Sequence, residues 1–309
     1  MPVRRPVFLC FLPALAAFMA GCAVVPLHKL SSLRREDERD STTLRTQANA
    51  EQSSDSTPSA KLRVDAGEFS MPCLWGRDDS WVTPERLDRG LTIILPGIEG
   101  ESFFNRSVAR GLVDAGHESA IVIHDWTTGN VTLFPYHLMA LQRNQRQARQ
   151  IADRIVAYQN QHPGRPVRLI GHSGGGAMAV LSLEVLPSNR HVTQAILLGA
   201  ALSPDHDLST ALAHTERGLW SVSSKGDVFY LMAGTLALGT IDRMHAASAG
   251  AVGFRVPETA TPTQRRLYEE KLHQQPYDWQ FAKSLNFGGH FGYVKRRFVA
   301  DWIAPLLLL

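Results

Sequence analysis

Along residues 62–309, short apolar runs alternate with segments whose apolar residues recur at helical spacing. Leu91-Thr92-Ile93-Ile94-Leu95, Ala120-Ile121-Val122-Ile123, Val167-Arg168-Leu169-Ile170, Ala195-Ile196-Leu197-Leu198 and Leu219-Trp220-Ser221-Val222 are short and apolar, and read as strands. Between them the pattern predicts helices over residues 103–114, 138–161 and 177–186, and a closing helix over 294–308. In the long helix, Leu141, Ala148, Ile151, Ile155 and Tyr158 fall near one stripe, which is expected to face the sheet. Such alternation predicts an α/β fold with a mostly parallel central sheet and helices on both faces. No repeat of solenoid period is present.

Residues 28–61 break the pattern, being rich in Ser, Thr, Arg, Asp, Glu and Gln with few large apolar residues. A segment that buries so little cannot offset its ordering entropy and is expected to act as a tether, with a short solvated helix over 33–45 as the alternative. Ahead of it, the basic Met1-Pro2-Val3-Arg4-Arg5 precedes an uncharged stretch, residues 7–20, too short for a comfortable membrane span. That arrangement reads as a secretory signal. Its end, Met19-Ala20-Gly21-Cys22, resembles the lipobox of bacterial lipoproteins. The resemblance implies a signal peptide over 1–21, lipidation at Cys22 with a tether over 22–61, and an envelope location at the outer membrane or periplasmic face. Plain secretion is the alternative. The remaining domain is then 62–309.

Composition narrows the function classes. At 309 residues, 44% hydrophobic and 20% charged, the chain can bury one substantial core. Its formal charge of +3 falls to +1 when Arg4 and Arg5 leave with the signal, and the remaining basic residues are dispersed among acids. Nucleic-acid binding is therefore not expected. Of the three cysteines, Cys10 lies in the signal and Cys22 at the lipid site, so Cys73 has no partner for an internal disulfide in the mature chain.

Gly171-His172-Ser173-Gly174-Gly175 stands between a strand and a helix. That places a serine hydroxyl at a sharp corner, where it projects outward while nearby backbone N–H groups face a reacting carbonyl. Gly174-Gly175-Gly176-Ala177-Met178-Ala179 also fits a dinucleotide loop, but the next strand, 194–200, lacks the acid that reading requires at its end. A purely structural turn, with Ser173 as a helix cap, is the other alternative.

With this elbow and the order of strands and helices around it, the chain from about residue 65 onward resembles the α/β-hydrolase superfamily, in its esterase, lipase and thioesterase-like branches. The resemblance implies an α/β-hydrolase fold and a triad in the order Ser, acid, His. Asp227, in Ser224-Lys225-Gly226-Asp227 after the strand 219–222, takes the acid position, with Asp205 in reserve; His290, in Gly288-Gly289-His290-Phe291-Gly292, takes the base position ahead of rivals His245 and His273. Oxyanion donors are implied at the backbone N–H groups of Gly174 and Ile98, the latter in Pro96-Gly97-Ile98-Glu99-Gly100. Glu99 is expected to be exposed, since a carboxylate beside an oxyanion would repel it, and His172 is expected to pack or orient the elbow.

No motif of metal-ligand spacing is present, so the implied mechanism needs no metal or cofactor. The expected reaction is hydrolysis of a carboxylic ester or thioester of a small molecule or lipid, with acyl transfer by the same triad, or an inactive hydrolase-fold envelope protein, as alternatives. Phe134, Tyr136, Phe229, Leu231, Met232, Leu236 and Leu238 are candidate pocket residues.

Overall fold

The computed structural model describes residues 79–130, 133–227, 240–242 and 248–308, the side chains of 79, 134 and 135 apart. The expected signal, Cys22, the tether, Phe229, Leu231, Met232, Leu236, Leu238 and His245 lie outside the described residues.

Six strands form one all-parallel sheet: β1 (Leu91–Leu95), β2 (Ala120–Ile123), β3 (Val167–His172), β4 (Gln194–Leu198), β5 (Leu219–Ser223) and β6 (Leu272–Pro276), in the order β2-β1-β3-β4-β5-β6. Every residue of β1 and β4 is buried, which is why these runs are apolar throughout instead of alternating. The two-residue period of a strand divides them between two cores. Ile93, Leu95, Leu169 and Leu197 pack with helices α2 (Leu141–Gln161) and α3 (Gly174–Glu184), through Ile151, Ile155, Ala177 and Met178. Ile94, Ile121, Ile170 and Ile196 pack on the opposite face with α1 (Phe103–Asp114) and the C-terminal helical turns, through Val108, Leu112, Phe298 and Ile303. Each such side chain contributes about 1.5–3 kcal/mol when fully buried. This two-sided cover of a parallel sheet, with Ser173 at the corner between β3 and α3, is the α/β-hydrolase fold expected from the sequence.

Local chemistry fixes the helix starts. Ser102 and Asn105 form a reciprocal capping box at α1, and Thr261 and Gln264 form another at α4 (Pro262–Lys271), where Pro262 occupies a first-turn position that needs no N–H donor. Two helices differ from expectation. Residues 138–161 are not continuous: a short helix, Phe134–Met139, ends at Ala140, and the chain restarts as α2, with Asn144 Nδ2 donating to the His137 carbonyl across the break. The closing helix is a succession of α, π and 3-10 turns over Arg296–Phe298, Val299–Ile303 and Ala304–Leu308. Pro305 has no N–H to give the preceding turn, so the hydrogen-bond register changes around it. Strand β6 and helix α4 were not expected at all. Among the described residues no helix is long and apolar enough to cross a membrane.

Candidate active site

Ser173 sits between β3 and α3 with φ 54° and ψ −119°, a conformation that a residue with a side chain adopts only under constraint. Its N–H donates to Leu198 O (2.9 Å), and its carbonyl accepts from Gly176 N–H and Ala201 N–H (both 3.0 Å), so the strained residue is held from three directions. Glycine is required on either side. A Cβ at Gly171 would collide with the Gly175 carbonyl, and a Cβ at Gly175 would collide with the carbonyls of Leu95 and Pro96. The elbow is thus packed backbone to backbone against the loop that follows β1.

That loop carries Ile98. A Cβ placed on Gly174 would lie 3.1 Å from Ile98 Cγ2 and 2.9 Å from Trp126 Cζ2, so the two expected oxyanion donors belong to touching segments. Neither the Gly174 nor the Ile98 N–H has a protein acceptor among the described residues. Two side chains hold the loop from behind. Trp126 Nε1 donates to Pro96 O at 2.7 Å. Thr128 N–H donates to His137 Nε2 at 3.2 Å, which leaves the ring proton on Nδ1 to donate to Ile98 O at 3.0 Å. Burial holds His137 below the ordinary histidine range, opposed by its bond to Ile98, which agrees with a neutral ring. The Ile98 peptide is therefore oriented by a buried imidazole. No motif marks His137 in the sequence; its signal is a lone polar ring in the loop after β2.

Asp227 and His290 are brought together from 63 residues apart. His290 Nδ1 lies 2.9 Å and 3.0 Å from the two carboxylate oxygens of Asp227, which is fully buried, while His290 retains 8% exposure. Ser224 and Asn286 make this meeting possible: Ser224 Oγ donates to Gly288 O at 2.7 Å and Asn286 Oδ1 accepts from Gly288 N–H at 2.9 Å, tying the acid turn to the histidine loop. Burial raises the Asp227 carboxyl to about 8, opposed by the His172 imidazole. Burial likewise lowers His290 to about 3, reinforced by His172 and opposed by Glu99. Both shifts express one cause, since neither charged form is hydrated; the proton between the imidazole and the carboxylate belongs to the pair rather than to either residue.

His172 links this pair to the elbow. It immediately precedes Ser173, is buried, and its Nε2 lies 3.1 Å from the carbonyl oxygen of His290, with the two rings 4.7 Å apart. His172 is packed, as expected, and its ring lies against the histidine loop.

Glu99 departs from expectation. Its side chain is only 18% exposed, folds back over Gly97, and faces His172 Nδ1 at 3.9 Å. Burial opposes ionisation of Glu99, but attraction to His172 and, farther off, His290 outweighs it and brings the carboxyl below its usual range. At that distance the contact with His172 is electrostatic and not a hydrogen bond. The reserve acid is elsewhere: Asp205 is exposed and paired with Arg255 at 2.8 Å. The rival His273 lies on β6 with its ring 4.4 Å from Trp220. Tyr136 is half-buried, with the Arg143 guanidinium over its ring.

No protein-family model matches the chain, and a search of curated proteins finds no match either. Solved structures similar in chain trace include Est1E from Butyrivibrio proteoclasticus (13% identity, TM-score 0.41, covering 73% of this chain and 90% of that one). A RedJ thioesterase from the prodiginine pathway of Streptomyces coelicolor is similar at 12% identity and TM-score 0.38, covering 81% and 97%. A cutinase-like protein from Cryptococcus sp. is similar at 14% identity and TM-score 0.37, covering 69% and 89%.

Proposed function

We propose that the chain is a serine hydrolase that cleaves carboxylic esters or thioesters through an acyl-serine intermediate. The observation that carries this reading is the buried His290–Asp227 hydrogen bond, tied through the His290 carbonyl to the residue preceding Ser173. Ser173 Oγ attacks the acyl carbon while His290 Nε2 takes its proton, and the carbonyl π electrons move to oxygen. Gly174 N–H and Ile98 N–H receive that oxyanion. Collapse breaks the bond to the alcohol or thiol, which leaves with the proton from Nε2; water then repeats the cycle, its proton passing to His290 and back to Ser173 as the acid departs. Asp227 fixes the imidazole tautomer and stabilises its protonated form. Exposed Phe103 and Phe287, next to the Ile98 and His290 loops in sequence, suit an apolar acyl or lipid ester.

A fluorophosphonate probe is expected to label the folded protein at Ser173, with labelling lost in Ser173→Ala. Folded protein that stays unlabelled overturns the reading. Membrane attachment through an acylated Cys22 belongs to the same proposal; it requires palmitate incorporation that disappears in Cys22→Ser, and soluble export of an unacylated chain would sink it.

A further inference from the structure

The opposite edge of the sheet carries chemistry that ester cleavage does not use. At the amino ends of β3, β4 and β5, a cavity of about 530 Å³ is lined by Arg165, Arg168, Arg190 and Arg217, with His191 and a single carboxylate, Glu216. Ser173 is at the carboxyl end of β3, so at about 3.3 Å per residue the two sites are separated by on the order of 20 Å.

Arg168 is the unusual member. It occupies a central strand, in register between Thr92 of β1 and Gln194 of β4, where an aliphatic side chain is the rule. Its Nε is buried without a partner, and Nη1 makes one long bond, 3.4 Å, to Ser119 Oγ. Burial lowers its pKa and the like charge of Arg217 lowers it further. Among the described residues none of the four arginines pairs with a carboxylate; Arg190 donates to Asn160 Oδ1 instead. A half-buried guanidinium with an orphaned donor is destabilising unless an acceptor completes it, and an anion does so best. Guanidinium forks match tetrahedral oxyanions, and several converging on one cavity suit a ligand with more than one negative charge. Among the described residues no Phe, Tyr or Trp lines the cavity, so it offers charge for a phosphate more than a broad face for a base.

We propose that this cavity binds a phosphate-bearing ligand, a phosphomonoester or diphosphate, with Arg168 as its half-buried anchor and Arg165 and Arg217 as its outer arms. The group can be that of a free metabolite or of a phospholipid head, and the test separates the two.

Isothermal titration of the full-length protein with pyrophosphate, and with dihexanoyl phosphatidic acid below its micellar concentration, supplies the two arms. Saturable binding of either ligand is expected, weakening by about tenfold or more in Arg168→Lys and in Arg217→Gln, the worth of one charged hydrogen bond. Arg217 is exposed, so its variant tests the site even if a change at Arg168 perturbs the sheet. Fluorophosphonate labelling of Ser173 is expected to be unchanged in both variants. Tighter binding of the lipid assigns the site to a phospholipid head, and tighter binding of pyrophosphate assigns it to a soluble phosphate. Failure of the folded wild-type protein to bind either ligand, or wild-type affinity in either variant, overturns the proposal.

Discussion

Glu99 Oε1 and His172 Nδ1 face each other at 3.9 Å, both buried and both without a hydrogen-bond partner. The other ring nitrogen of His172 is committed, since a carbonyl can only accept and Nε2 must therefore donate to His290 O. Nδ1 is therefore the ring position that faces Glu99, and the two interact through space and not through a shared proton. Beside the base pair of the site thus stands a second carboxylate and imidazole, close enough to bias the first.

The bias has a definite sign. Glu99 favours the protonated form of His290 and His172 disfavours it. Removing the charge in Glu99→Gln is therefore expected to lower the pKa of the general base, so the acidic limb of the kcat/KM profile moves to lower pH. The same variant should keep the fold, because the amide fills the same space. A profile of p-nitrophenyl ester hydrolysis measured from pH 2 to pH 9, which spans the limb of a base lowered to about 3, checks this, and an unmoved or upward-moved limb contradicts it.

The two aspartates that the sequence offers are separated by their surroundings. Asp227→Asn removes the acceptor that fixes the His290 tautomer and is expected to lower kcat by about 10⁴-fold. Asp205→Asn breaks an exposed pair with Arg255, for which the expected change is 0–1 kcal/mol in stability and none in kcat. Steady-state kinetics on both variants discriminate the two; a large kcat loss in the second would reassign the acid.

The elbow was legible because its constraint is written in residue types: Gly171 and Gly175 must lack side chains where backbone meets backbone, and aliphatic runs must fill a sheet covered on both faces. What escaped notice has polar chemistry without periodicity. Strand β6, Leu272-His273-Gln274-Gln275-Pro276, is an edge strand whose residues are half-buried or exposed, so little forces apolar residues into it beyond Leu272. Glu99 was misplaced for another reason. Local sequence shows a carboxylate in a glycine-rich loop, whereas its burial depends on His172, which reaches it only through the pairing of β1 with β3.

Close packing at the elbow gives a stability prediction. Gly175→Ala is expected to cost several kcal/mol or prevent folding, because its Cβ meets immovable carbonyls of Leu95 and Pro96. Gly289→Ala, next to His290 in the histidine loop, meets nothing within 4 Å and has no positive φ, so its denaturation midpoint should match the wild type. Urea unfolding of the two variants makes the comparison; equal stabilities would show the elbow to be looser than this packing implies.

A last prediction concerns His206, which bridges two carboxylates on the far side of α3: Nε2 lies 2.7 Å from Glu184 and Nδ1 3.2 Å from Asp242. Burial alone would lower its pKa, but the two hydrogen-bonded carboxylates win and raise it to about 9. A histidine whose folded pKa exceeds its unfolded value of about 6.5 binds its proton more tightly in the native state, so its contribution is complete below that value and disappears as pH rises toward 9. The contribution is on the order of 3 kcal/mol at most, given roughly 1.4 kcal/mol per pKa unit. Asp242 also accepts from Ser203 N–H and Thr240 Oγ1, so the bridge anchors the described residues 240–242 to α3 through Glu184. The melting temperature is therefore expected to fall between pH 6.5 and 9 in the wild type. In His206→Gln it should be lower at pH 6 and fall less steeply across that window. A wild-type melting temperature that holds steady over the same range would mean that His206 carries no charge in the bridge.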